Sequence, residues 1–301
     1  MMITPSAQPS SPLSAVLSRL FMLLAVSAMF GSGCTSAVTQ LQRGRALQRL
    51  QFEVNLGTSL PLSDKAIRSA IEAEESIKKQ LRDAEDGAEK LTENDARKLT
   101  EVAAALLLFT PLPSNEMSLR GGIGWGVDVG LRLTGPRKQI DAKWQALDVK
   151  RHGIDLGLSL AYGWHSSPAA SLWESATSAA ESLKIMDYQR RDLTLSVIGS
   201  RDIGDVFSMW LGLAYSRSSI RIGSKLTGVA TDLGIAASAL TIDETMQQIG
   251  GQLGFRVGYK YVFFVVEFSV MQAYFSPSIL GQKVNLSGLL YTPTFALQVA
   301  F

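Results

Sequence analysis

Residues 291–301 read Tyr-Thr-Pro-Thr-Phe-Ala-Leu-Gln-Val-Ala-Phe, and the run ends on an aromatic. From Phe295 every second residue is large and apolar: Phe295, Leu297, Val299 and Phe301. Ala296, Gln298 and Ala300 stand between them. A period of two places alternate side chains on opposite faces of a strand, so the two faces of this strand meet different surroundings.

The same alternation recurs upstream. Phe52, Val54 and Leu56 alternate within 50–60. Val127, Val129, Leu131 and Leu133 follow, then Ile140 and Trp144, then Ile154 through Trp164. Leu193, Leu195 and Val197 continue it, as do Phe207 to Tyr215, Ile249 to Tyr259 and Val262 to Tyr274. The second face decides what these strands are. A soluble sandwich would show Lys and Glu to water there, whereas this face is mostly Gly, Ser, Ala, Thr and Gln. Small and polar residues fit a narrow barrel interior, with the apolar face toward lipid. Aromatics gather at strand ends, at Tyr162, Trp164, Tyr215, Tyr274 and Tyr291, as in a girdle at a bilayer interface. The reading is an all-β, antiparallel, transmembrane up-and-down barrel of ten strands, with eight as the alternative if 117–134 and 139–164 are single long strands. Strands of 9–11 residues suffice to cross, which favours ten.

A terminal strand closing on Phe301 resembles the last strand of Gram-negative outer-membrane β-barrels. In that family the assembly machinery reads such a signal, so the resemblance implies this machinery as a partner. Val127–Thr134 followed by Ile140–Gln145 resembles the repeated hairpins of uncharacterised outer-membrane barrel lipoproteins, over about 115–301. It implies a barrel and no activity.

Short connections at 201–204 and 260–261 alternate with long ones at 165–187, 218–245 and 275–287. Short turns belong to the periplasmic end and long loops to the outside. An even strand count then puts both Phe301 and the N-terminus on the periplasmic side.

Residues 1–33 read as a secretory signal. The apolar run Leu20–Phe30 is too short to span a bilayer. Gly31-Ser-Gly-Cys34 resembles a bacterial lipobox, which implies acylation of Cys34 and a lipidated tether over 34–47. The alternative is ordinary cleavage near Ala28 or Ala37. The barrel is expected over 48–301, with a helical insertion at 62–112 between strands one and two. Eleven acids and eight bases between 64 and 101 fit a solvated helical pair. Thr92-Glu-Asn-Asp95 resembles a capping box.

Net charge is +2 on 301 residues, with no basic stripe, so nucleic acid is not an expected partner. One Cys and two His offer no metal cluster, and no Gly-rich loop opens a helix, so no cofactor is expected. His165-Ser166-Ser167 faintly resembles the His-x-Ser arrangement of outer-membrane phospholipases. Of Asn55, Asn115 and Asn285, none stands where that resemblance needs an Asn, and an ester hydrolase trails as a reading. Ten charges fall on the interior face: Glu53, Arg120, Asp128, Arg132, Asp141, Lys143, Asp155, Asp192, Arg256 and Glu267. Arg256 and Glu267 are expected to approach diagonally across the 260–261 turn. A salt-bridged, self-filled lumen is the first reading of these charges and a narrow pore for small solutes or ions the second. The function that follows is a non-enzymatic, structural, loop-displaying or partner-docking barrel lipoprotein of the bacterial outer membrane. Its partners would be outer-membrane lipid, the assembly machinery and an envelope protein.

Overall fold

The computed structural model describes residues 39–65, 67–68, 113–135, 137–168, 186–224, 242–279 and 282–301. Ten antiparallel strands form the barrel wall. They are β1 Phe52–Ser59, β2 Ser114–Gly124, β3 Val127–Thr134, β4 Arg137–Leu147, β5 Asp155–Pro168, β6 Met186–Ile203, β7 Phe207–Ser224, β8 Ile242–Tyr259, β9 Val262–Tyr274 and β10 Gly288–Ala300. Each pairs with its neighbour in sequence, and β1 pairs with β10, so the sheet has no free edge. Closure satisfies every ladder without water, as a bilayer interior demands. The seam is fastened at the last residue: Phe301 N–H donates to the Phe52 carbonyl (2.9 Å), and Phe52 N–H returns to the Phe301 carbonyl (3.2 Å).

The turns at one end are short. Trp125 sits between Gly124 and Gly126, and all three have positive φ. Glycine takes that conformation without a Cβ penalty, which allows the tight reversal. The β4–β5 connection holds a single helical turn, Val149–His152, whose N-terminal N–H of Lys150 is accepted by Asp148. These two reversals decide for ten strands rather than eight. The long connections leave from the other end. Leu62–Ser63, the first two residues of the region expected as a helical insertion, pair instead as strand with Tyr291 and Leu290 there. Most of that insertion, 69–112, lies outside the described residues, as do 1–38 with the signal segment and Cys34.

Outward side chains form an apolar belt. On β7 it runs from Phe207 through Met209, Leu211 and Leu213 (69% exposed) to Tyr215. That is the length needed to cross hydrocarbon. The five girdle aromatics point outward near the long-loop end. Tyr162 stacks on Trp164 at 6.0 Å between centroids, and Tyr291 on Phe268 at 6.5 Å. A second aromatic set rings the short-turn end, with Phe52, Trp125, Trp144, Tyr259, Tyr261 and Phe301 all exposed.

Three strands are longer than their apolar runs. β6, β7 and β8 have 18 residues each, and they continue into segments expected as loops at 165–187 and 218–245. Beyond the belt the outward face is polar, and the inward face mixes Arg190 and Ser218 with Ile220 and Met246, so the period of two ends while the hydrogen-bonded ladder continues.

Leu211 is exposed at the middle of the β7 belt. Leu211→Arg is expected to cost about 2–4 kcal/mol of stability in lipid vesicles, read by urea titration. The same change at Thr245, exposed above the belt, should cost nothing measurable.

Candidate functional site

The interior of the barrel is filled by the chain's own N-terminal segment. Residues 39–47, Thr-Gln-Leu-Gln-Arg-Gly-Arg-Ala-Leu, run through the lumen, and seven of the nine are buried. Their sequence explains why side chains, rather than another strand, must hold them. The segment has no neighbour in the sheet, so its amides and carbonyls need partners from the wall.

The wall supplies them. The Glu267 carboxylate accepts from the N–H of Gln40 (2.8 Å) and of Leu41 (3.0 Å), and from the Trp210 indole (3.1 Å). Gly44 N–H donates to the Ser200 hydroxyl, Ala46 N–H to Gln145 Oε1, and Leu47 N–H to Asp128 Oδ2, each at 3.0 Å. Carbonyls are served by cations. Lys143 Nζ donates to the carbonyls of Arg43 (2.8 Å) and Arg45 (2.9 Å). The Arg132 guanidinium donates to the carbonyls of Thr39 and Gln40.

Packing fixes the same segment. Leu41 lies among Ile198, Trp210, Val265 and Ala296, a small apolar core inside a polar lumen. Leu41 has a left-handed backbone, φ 46. A non-glycine residue holds that conformation only when its surroundings impose it. Gly44 presses on the wall so closely that a Cβ would strike the carbonyls of Ile198 and Asp155.

All ten interior charges read from the sequence are buried in the lumen. Arg120 bridges Asp128 and Asp141, and Asp128 also holds Lys143 at 3.1 Å. Arg43 of the plug pairs with Glu53 (2.7 Å) and Asp202 (3.0 Å). The expected Arg256–Glu267 approach is not the arrangement found. Arg256 turns to Gln298 (2.7 Å), Ser208 (3.0 Å) and Glu53 (3.6 Å), because Glu267 is engaged by the plug's backbone. Asp155 accepts from Val149 N–H (2.9 Å) and Gln145 (2.8 Å) and so seats the helical turn at the short-turn mouth.

The sequence reading missed Glu116, Arg137 and Arg190. Glu116 accepts from the Thr39 hydroxyl at 3.3 Å. Arg190 and Arg137 hold Asp192 at 2.6 and 2.9 Å. They lie at or beyond the ends of the apolar runs, where strand parity was the one available signal. His165 is buried in the lumen at this level, opposite Arg137 and Arg190 in register. Its ring faces the interior rather than the lipid-facing rim. Among the described residues no group of His, Cys, Asp and Glu is arranged to hold a metal ion.

At the short-turn mouth a cavity of about 950 Å³ opens between Trp125, Asp148, Lys150, Arg151 and His152. Its lining includes Arg45, Ala46 and Leu47, so the mouth leads onto the plug.

A closed ten-stranded barrel with an apolar belt and a polar, occupied interior is an outer-membrane β-barrel in architecture. No protein-family model matches the sequence, and no curated protein matches it. Among solved structures it is similar to Neisserial surface protein A, at 11% identity and a TM-score of 0.33, over 83% of this chain and 95% of that one. It is similar to Ail, the attachment invasion locus protein of Yersinia pestis, at 8% identity and 0.33, over 84% and 100%. The outer membrane protein OprG of Pseudomonas aeruginosa gives 11% and 0.34, over 86% and 99%. Nothing about binding or activity passes from these proteins to this chain.

Asp128→Ala would leave Arg120 and Lys143 buried without their shared carboxylate. Removing one partner of such a cluster costs about 3–5 kcal/mol. The expected outcome is a folded barrel with a lowered urea midpoint and a plug cleaved by trypsin at Arg43 or Arg45, sites that resist in the wild type.

Proposed function

We propose that this chain is a non-enzymatic barrel of the bacterial outer membrane, sealed by its own N-terminal segment, whose work is done by what it presents outside the membrane. The observation that carries this reading is the plug. Segment 39–47 crosses the lumen and is bonded to side chains of β3, β4, β6 and β9. A conducting path for solutes would have to displace those bonds, which disfavours the narrow-pore reading. An esterase at His165 is disfavoured as well, because its ring is buried beside Arg137 and Arg190 rather than exposed to lipid.

The plug also bears on the N-terminus. Leu47 lies beside Asp128 near the short-turn end, and Thr39 lies beside Glu116 and Arg132 toward the long-loop end. The chain therefore climbs away from the periplasmic mouth as it is traced back toward its start. On this reading the described chain begins, at Thr39, nearer the long-loop mouth, whereas strand parity leads to the expectation of a periplasmic N-terminus. The lipobox resemblance supports acylation itself.

Three experiments test this. In planar bilayers the purified protein should give no conductance steps. A variant lacking 39–47 that still folds should give them, and steps from the wild type would overturn the sealed barrel. In cells, radiolabelled palmitate should enter the wild type and not Cys34→Ser. An epitope placed between β7 and β8 should be read by antibody on intact cells.

A further inference from the structure

Above the apolar belt, the outer wall of the barrel turns basic in one place. β6, β7 and β8 continue beyond Leu193, Tyr215 and Ile249 with outward residues that are exposed and polar. Arg191 faces Ser219 across the β6–β7 ladder. Arg217 and Arg221 stand two residues to either side of Ser219 on the same face. Diagonal neighbours of this kind lie about 7–8 Å apart, within reach of long side chains. Lys138 of β4 lies in the same row, because it faces Trp164, which in turn faces Arg191.

Four cations thus share one band, directly above the lipid-facing belt. Among the described residues only Arg221 of the four is held by an acid, Asp243 at 2.5 Å, and both side chains are more than half exposed. The lumen behaves differently, since its arginines are bonded to carboxylates, carbonyls or amide oxygens. Folding therefore does not account for Arg191, Arg217 and Lys138, which point away from the barrel. What borders the wall at this height, just beyond hydrocarbon, is the headgroup layer of the leaflet on the long-loop side. Guanidinium groups bind phosphate bidentately, and a cluster of them suits a ligand with more than one phosphate. Trp164 and Tyr162, stacked beside the band, offer an amphipathic surface against which a sugar ring and acyl chain roots can lie.

We propose that Lys138, Arg191, Arg217 and Arg221 form a binding site for the phosphates of an anionic glycolipid in the outer leaflet. The proposal rests on the orientation given above, with the long loops outward. That orientation is read separately, by the epitope between β7 and β8, so failure of one can be told from failure of the other.

The test uses the folded, full-length protein in detergent, with bis-phosphorylated lipid A as the probe and native mass spectrometry as the readout. Wild type should retain the lipid, and Arg191→Gln/Arg217→Gln/Arg221→Gln should bind it at least tenfold more weakly. Dephosphorylated lipid A should bind the wild type as weakly as lipid A binds the triple variant. Lys150→Gln/Arg151→Gln, at the short-turn end, should bind like wild type. All these side chains are exposed, and heat-modifiable gel mobility verifies that each variant is folded. Equal retention by wild type and the triple variant would overturn the proposal. So would displacement of the lipid by millimolar inorganic phosphate, which would mark a site for a free anion.

Discussion

A peptide backbone that crosses a barrel without joining its sheet has to be solvated by something, and here the solvent is a set of buried and half-buried side chains. Glu267, Asp128, Ser200 and Gln145 take the amides of segment 39–47, while Lys143 and Arg132 take its carbonyls. Each of these groups would be costly in a dry interior if left alone. Together with the plug they are satisfied. The charges in the lumen and the segment that fills it are therefore one structure, and neither is explained without the other. The same constraint selects Gly44, since only a residue without a side chain lets the backbone approach the wall closely enough at Ile198 and Asp155.

From this follows a division of labour between the two faces of the wall. Inside, cations and acids are consumed in holding the plug and one another. Outside, the belt from Phe207 to Tyr215 meets lipid, and the aromatics at both ends meet its interface. Beyond the belt at the long-loop end, on β4 and on β6 to β8, the wall carries charge that folding does not use. The extra length of β6 to β8 is what lifts Arg191, Arg217 and Arg221 to the height of lipid headgroups.

Much of this was legible in the residues, for a physical reason. Lipid on one face and a polar lumen on the other impose a period of two on every membrane-crossing stretch, so strands such as Phe207–Tyr215 announce themselves. Parity then assigned Asp128, Lys143 and Glu267 to the interior. Where the outward face turns polar and the inward face mixes Arg190 and Ser218 with Ile220 and Met246, the period of two disappears, so the upper parts of β6 to β8, with Arg137 and Arg190, carry no readable alternation. The plug left no periodic trace either. Its bonds join residues far apart in sequence, such as Gln40 and Glu267, 227 positions away. Nothing in Thr-Gln-Leu-Gln-Arg-Gly-Arg-Ala-Leu separates a lumen segment from a flexible tether. For the same reason Arg256 and Glu267, neighbours across a turn, could be expected to pair, when the plug had already claimed Glu267.

Amide hydrogen exchange of the folded protein in lipid addresses the central claim most directly. The N–H groups of Gln40, Leu41, Gly44, Ala46 and Leu47 donate to wall side chains inside the lumen, so they should exchange as slowly as the ladder amides of β7 and β8. Exchange of those five at the rate of an unstructured peptide, with the wall still protected, would contradict the account.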